Sequence, residues 1–189
     1  MTAKLITPPA VVAVSLAKAK SNLGYEVSET ELDTLLTAWL MGIADYAEHQ
    51  MGRAIMNQTW RVSLDCFPAA IRLPRPPVAS VSFVKYYDAT GVQQTLDPAA
   101  YALDSESEPC RLLPAPDTAW PATARRANAV TVEVVCGYGA TDAATPAGIQ
   151  LFLLAKLKEQ FDPEVKPEKG TVQSSFIDHL LDRYTIPAF

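Results

Sequence analysis

The sequence predicts an α+β protein: a small helical core of about four helices, with a proline-rich antiparallel β block inserted between the second and third long helices. Three observations lead there. Apolar residues recur at three- and four-residue spacing near both ends of the chain, which is the period of a helix with one buried face. Between them, residues 57–136 alternate polar and apolar positions, as half-buried strands do. Nine of the 15 prolines fall in that middle stretch, from Pro68 to Pro121. Proline lacks an N–H and fixes φ, so such density favours short strands and fixed turns over helices.

In chain order, the N-terminus MTAKLITPPAVVAV has a short apolar run and two prolines, without the long apolar stretch of a secretory leader. Everything to about Arg53 reads as helical. Ser15 is placed to cap a short helix over LAKAKSNL that Gly24 ends. Ser28-Glu29-Thr30-Glu31 has the spacing of a capping box. After it, Leu32, Leu35, Leu36, Trp39, Leu40, Ile43 and Ala47 form one stripe on a long helix, and Gly52 stops it. TWRVSLD and VASVSFVKYY read as strands, Asp88-Ala89-Thr90-Gly91 as a hairpin turn with VQQTL returning, and Val130, Val132 and Val134 as a last strand. Thr145 and Pro146 suit the start of a helix with Ile149, Phe152, Leu153, Leu157 and Phe161 on its apolar side, ended by Asp162-Pro163. Residues 164–170 are polar and expected to be mobile. SSFIDHLLDRY reads as a short amphipathic helix, and TIPAF as a free apolar tail. The expected organisation is residues 1–56 as N-terminal core helices, 57–138 as the β subdomain, 139–163 as a core helix and 164–189 as a C-terminal helix and tail, in one domain overall.

Composition bounds the function. The chain has 189 residues, 49% of them apolar and 20% charged, with a net charge of -5. A general acidic surface does not wrap a nucleic-acid backbone, although DNA slides past an acidic wall without sticking. Cys66, Cys110 and Cys136 are far apart with no CxxC pair, which points to free thiols, a reducing compartment and no zinc site. The longest apolar stretch is too short to span a bilayer and contains Lys156, so a soluble, cytoplasmic protein without membrane contact is expected.

Each candidate for chemistry has a plainer reading. Cys136-Gly137-Tyr138-Gly139 follows a strand and precedes a helix, as a phosphate cradle would. It lacks the third glycine of G-x-G-x-x-G and the lysine of a P-loop, which favours a structural turn. Cys136 as a nucleophile would need His49 or His179, and neither has a catalytic context. Asp45 and His49 could form half of a metal site, and the acids of Asp104–Glu108 could hold a hard cation, but a surface hydrogen bond and a solvated loop account for them. No catalytic, cofactor-binding or metal-ligating set results, and the expectation is a non-enzyme. Arg72, Arg75, Arg125 and Arg126 are candidates for meeting a partner's acids or a nucleic-acid backbone. Phe176, Leu180, Tyr184, Ile186 and Phe189 are candidates for docking into another subunit.

The order of these segments resembles the head–tail connector (adaptor, or head-completion) proteins of tailed bacteriophages and gene transfer agents. LAKAKSNL is similar to their first helix. ADYAEHQMGRAIMNQTWRVSLDCFP is similar to their second helix running into the first strand. IRLPRPPVASVSFVKYYDATG resembles their proline-bounded strand and hairpin, and WPATARRANAVTVEVVCGYG with TPAGIQLFLLAKL their last strand and third helix. The similarity spans roughly residues 13–160. It implies that Gly137, Tyr138 and Gly139 form the link from the inserted sheet back to the helices. It also implies a ring, typically a dodecamer, beneath the portal protein at the virion neck of a particle made in the bacterial host cytoplasm. That ring would extend the channel through which DNA passes without specific binding and would offer a platform to a stopper or tail-completion protein. A role as the stopper or tail-completion protein itself, and a small cysteine hydrolase using Cys136, are the alternatives.

Overall fold

The computed structural model describes residues 1–161, 176, 177 and 179–186. Among these residues are three α-helices and eight strands, the strands arranged in two antiparallel sheets. The chain divides into two compact units. One comprises Met1–Pro9 and Asn57–Gly137; the other comprises Ala10–Met56 and Tyr138–Phe189.

The first unit holds all the described strands. Its larger sheet combines β1 (Thr2–Thr7), β2 (Gln58–Leu64), β4 (Val78–Tyr87), β5 (Gln93–Thr95) and β8 (Val130–Cys136) in the order β1-β2-β8-β4-β5. β8 is central because its alternation is the cleanest: Val130, Val132, Val134 and Cys136 are all buried. Val62 and Val84 lie opposite Val132 on either side and are buried with it. On the other face Arg61 and Glu133 are opposite each other and pair at 2.8 Å. The smaller sheet takes β3 (Ile71–Arg72), β7 (Arg111–Pro114) and β6 (Tyr101–Asp104) in the order β3-β7-β6, with Ile71 and Leu112 paired and buried.

The β4–β5 hairpin turns where the sequence predicts. Asp88 Oδ1 accepts from the Thr90 hydroxyl at 2.6 Å, from Thr90 N at 2.9 Å and from Val92 N at 3.1 Å. Gln94 donates to the other carboxylate oxygen at 2.9 Å. These donors, the Thr90 hydroxyl foremost, hold the Asp88 carboxyl at about 2, well below its ordinary value.

β1 corrects the expectation of helix from the N-terminus to Arg53. Thr2 to Thr7 pair antiparallel with β2, from Thr2 opposite Ser63 to Thr7 opposite Thr59. All six residues are exposed. An edge strand with neither face buried carries no alternation, which is why periodicity misses it.

The second unit is helical. In α1 (Leu16–Leu23) the Ser15 hydroxyl accepts from Lys18 N, and Gly24, at φ 84°, closes the helix, both as the sequence predicts. The predicted capping box does not form. α2 (Asp33–Met51) begins after it, with Leu32 at the cap position and no side-chain cap. Glu29 instead accepts from Glu26 N at 3.3 Å, and Asp33 in the first helical turn meets the ammonium of the buried Lys20. The buried stripe of α2 is Leu36, Leu40, Ile43, Ala47 and Met51. Leu35 and Trp39, expected in that stripe, are exposed. At roughly 100° per residue they sit on the flank of the helix, not on its inward line.

α3 (Ala147–Phe161) buries Ile149, Phe152, Leu153 and Leu157 against the α2 stripe. Gln150 fastens its first turn, donating to Asp142 O at 2.8 Å and Thr145 O at 3.0 Å. The predicted fourth helix, residues 174–184, falls partly outside the described residues. Its described end is a 3-10 turn at Asp182–Tyr184. Residues 162–170, with the polar stretch 164–170, lie wholly outside them.

Candidate junction and assembly surfaces

The strand-to-helix turn at Cys136–Gly139, which has the position of a phosphate cradle, is built as a passage for the chain. Gly137 adopts φ 130°, a region that side chains avoid, and its N–H donates to Pro77 O at 2.8 Å. Cys136 beside it is fully buried and its thiol donates to Pro74 O at 3.3 Å. An occluded thiol engaged with a carbonyl is not presented to a substrate.

On the helical side of the turn, Tyr138 N donates to Ile55 O at 2.9 Å and Gly139 bridges to Met56. The Tyr138 ring packs on the helical core. A Cβ at Gly139 would lie 2.4 Å from Ala144 Cβ, so no side chain fits there. The backbone donors are therefore spent inside the protein. Facing them, buried Glu48 accepts from Ile55 N at 2.7 Å. Glu48 is a member of this junction that sequence patterning misses, because one buried acid in an apolar helix carries no spacing signal.

Of the C-terminal candidates, Tyr184 and Ile186 fold onto the end of α2 and the start of α3 within the helical unit. Ile186 N donates to Met51 O at 3.0 Å, and Ile186 approaches the Gly52 cap. Tyr184 lies against Gly148, where an added Cβ would meet its hydroxyl at 3.1 Å, and Arg53 Nε donates to Tyr184 O. Leu180 packs on the core, while Phe176 is 61% exposed. The tail expected to be free is thus folded back as far as Ile186. Phe189 lies outside the described residues.

The arginine candidates all belong to the sheet unit. Arg75, at φ 50°, stands 5.5 Å from the centre of the Trp60 ring. Arg126 stands 3.9 Å from that of Tyr87. Arg72 on β3 and Arg125 beside Arg126 are exposed, and Arg72 lies opposite Arg111 across the β3–β7 pair. No group of three or more His, Cys, Asp or Glu that could hold a metal occurs among the described residues. In the acidic stretch 104–108, Asp104 is occupied locally, with Ser107 donating to its Oδ2 at 2.6 Å and Arg111 at 3.5 Å. No described helix is long and apolar enough to cross a membrane.

The same fold occurs in gene transfer agent particles. A chain in the neck of an empty particle, computed with C6 symmetry, matches at TM-score 0.80 and 18% identity, covering 100% of this chain and 97% of that one. A chain of the virion of the native particle matches at TM-score 0.79 and 18% identity with the same coverage. A chain in the neck of the native particle, computed with C12 symmetry, matches at TM-score 0.73 and 19% identity, again with that coverage. No family model and no curated protein matches the chain.

Proposed function

We propose that this chain is a structural head–tail connector, an adaptor, of a phage or phage-like particle. In this role it forms a ring beneath the portal protein, extends the DNA channel and offers the docking platform for the stopper or tail. The observation that carries this reading is the full-length likeness of fold to chains in the neck of gene transfer agent particles. The order of sequence segments supports it independently. The junction supports it as well, because its glycines and backbone donors are used within the protein.

Charge is distributed in keeping with that role. The sheet unit holds eight Lys and Arg against eight Asp and Glu, and the helical unit eight against thirteen. The whole excess of acid thus belongs to the helical unit. An acidic wall repels phosphate and lets DNA move without adhering, so the helical unit is the part suited to line a channel. The stacked Arg75 and Arg126 are suited to meeting another neck protein.

The test is the native mass of the chain mixed with the portal protein encoded in the same genome. A portal ring that gains about twelve chains, the rotational order of one of the matched necks, supports the adaptor. Binding to an assembled adaptor ring but not to the portal would make the chain a stopper, and binding to neither would remove it from the neck.

A further inference from the structure

α2 carries apolar residues beyond its buried stripe. Beside its buried stripe, Leu35, Trp39, Gly42 and Tyr46 form a second line on the flank, with Tyr46 52% exposed. A helix apolar on two sides ordinarily has a neighbour on each. Trp39, Gly42 and Tyr46, with Lys156 and Glu159 of α3 at the rim, line a groove of about 420 Å³.

Gly42 is the informative residue. Glycine within a helix is destabilising relative to alanine. Here a Cβ would meet nothing within 4 Å, and the backbone is not left-handed. Among the described residues nothing therefore gives a reason for a glycine at this place. Close approach of a group from outside does.

The same chain carries the matching shape. On the outer side of α3, Leu151 is 46% exposed, and Ala147 and Ala155 lie one turn to either side of it. One line is bulky, small, bulky; the other is small, bulky, small. Charge agrees with shape. Asp33 and Glu48 of α2 are engaged within the chain, which leaves Asp45, beside Tyr46, as its exposed acid, whereas the outer side of α3 ends in exposed Lys158.

We propose that the Trp39–Gly42–Tyr46 groove is the socket for the Leu151 ridge of a second copy of this chain. The two surfaces are different patches of one protein, so the contact is head-to-tail, the kind that closes into a ring when the rotation allows. The proposal rests on the ring reading above and names the surfaces that would make it.

Two variants test it, Gly42→Leu to fill the socket and Leu151→Glu to spoil the ridge. Native mass and sedimentation are measured over a concentration series, with and without portal. The wild type is expected to associate beyond a dimer, and each variant alone to remain a folded monomer. Mixed, the variants are expected to stop at a heterodimer, because Gly42→Leu keeps a sound ridge and Leu151→Glu a sound socket.

Variants that associate like the wild type overturn the proposal while leaving the ring reading intact. A wild type that is monomeric up to millimolar concentration also overturns it, and the portal mixture then decides the ring reading separately. Gly42→Leu that melts earlier without any change in association means the groove is filled from within its own chain. Loss of portal binding with self-association unchanged assigns the groove to the portal. Either result overturns the proposal.

Discussion

Two glycines separate what the chain needs for itself from what it does not. At Gly139 an added methyl would sit 2.4 Å from Ala144 Cβ. Gly139→Ala is expected to cost about 1–3 kcal/mol, the usual range for overpacking, read as a lower urea midpoint. At Gly42 the space is open, and Gly42→Ala is expected to stabilise the monomer by about 0.5–1 kcal/mol, read as a higher Tm. Cys136→Ala removes a buried sulfur and is expected to cost on the order of 1 kcal/mol without loss of particle assembly. A hydrolase would instead lose all activity. Asp88 adds a pH signature. Its carboxyl is held at about 2 in the folded chain, below the roughly 3.9 of an unfolded aspartate. Its contribution is therefore complete above about pH 4 and lost as pH falls toward 2. The difference in urea midpoint between wild type and Asp88→Ala should shrink across that window. A constant difference would show that the turn is held by something else.

At the scale of elements, the helices and hairpin were legible where one residue type serves one local purpose. Ser15 and Gly24 bound α1, Asp88 to Gly91 turn β4 into β5, and Val130, Val132 and Val134 alternate along β8. Two elements were illegible for physical reasons. β1 buries neither face, so its residues carry no period. The flank of α2 is apolar like its buried stripe, so spacing alone assigns Leu35 and Trp39 to the core. The return turn was legible as a turn, yet Glu48, which satisfies Ile55 N, was not. Glu48→Ala leaves that buried donor unpaired, with an expected loss of about 1–3 kcal/mol measured by denaturation. A change below a few tenths would mean that water replaces the carboxylate.

For the whole molecule, the sheet order has a consequence during synthesis. β8 is the last of the described strands to leave the ribosome and lies between β2 and β4. β1 can pair with β2 early, but that pair has no neighbour until residue 136 has been made. At about 5–20 residues per second, the 72 residues between Leu64 and Cys136 take roughly 4–14 s. Through that interval the inner edge of β2 is unclaimed on a nascent chain, and so, once β4 has been made, is the edge of β4 opposite the short β5. Many ribosomes translating one message bring such chains close together, and an unclaimed strand edge pairs readily with its like. Chaperone demand for this protein should therefore concentrate in the time before β8 emerges and fall sharply once it has.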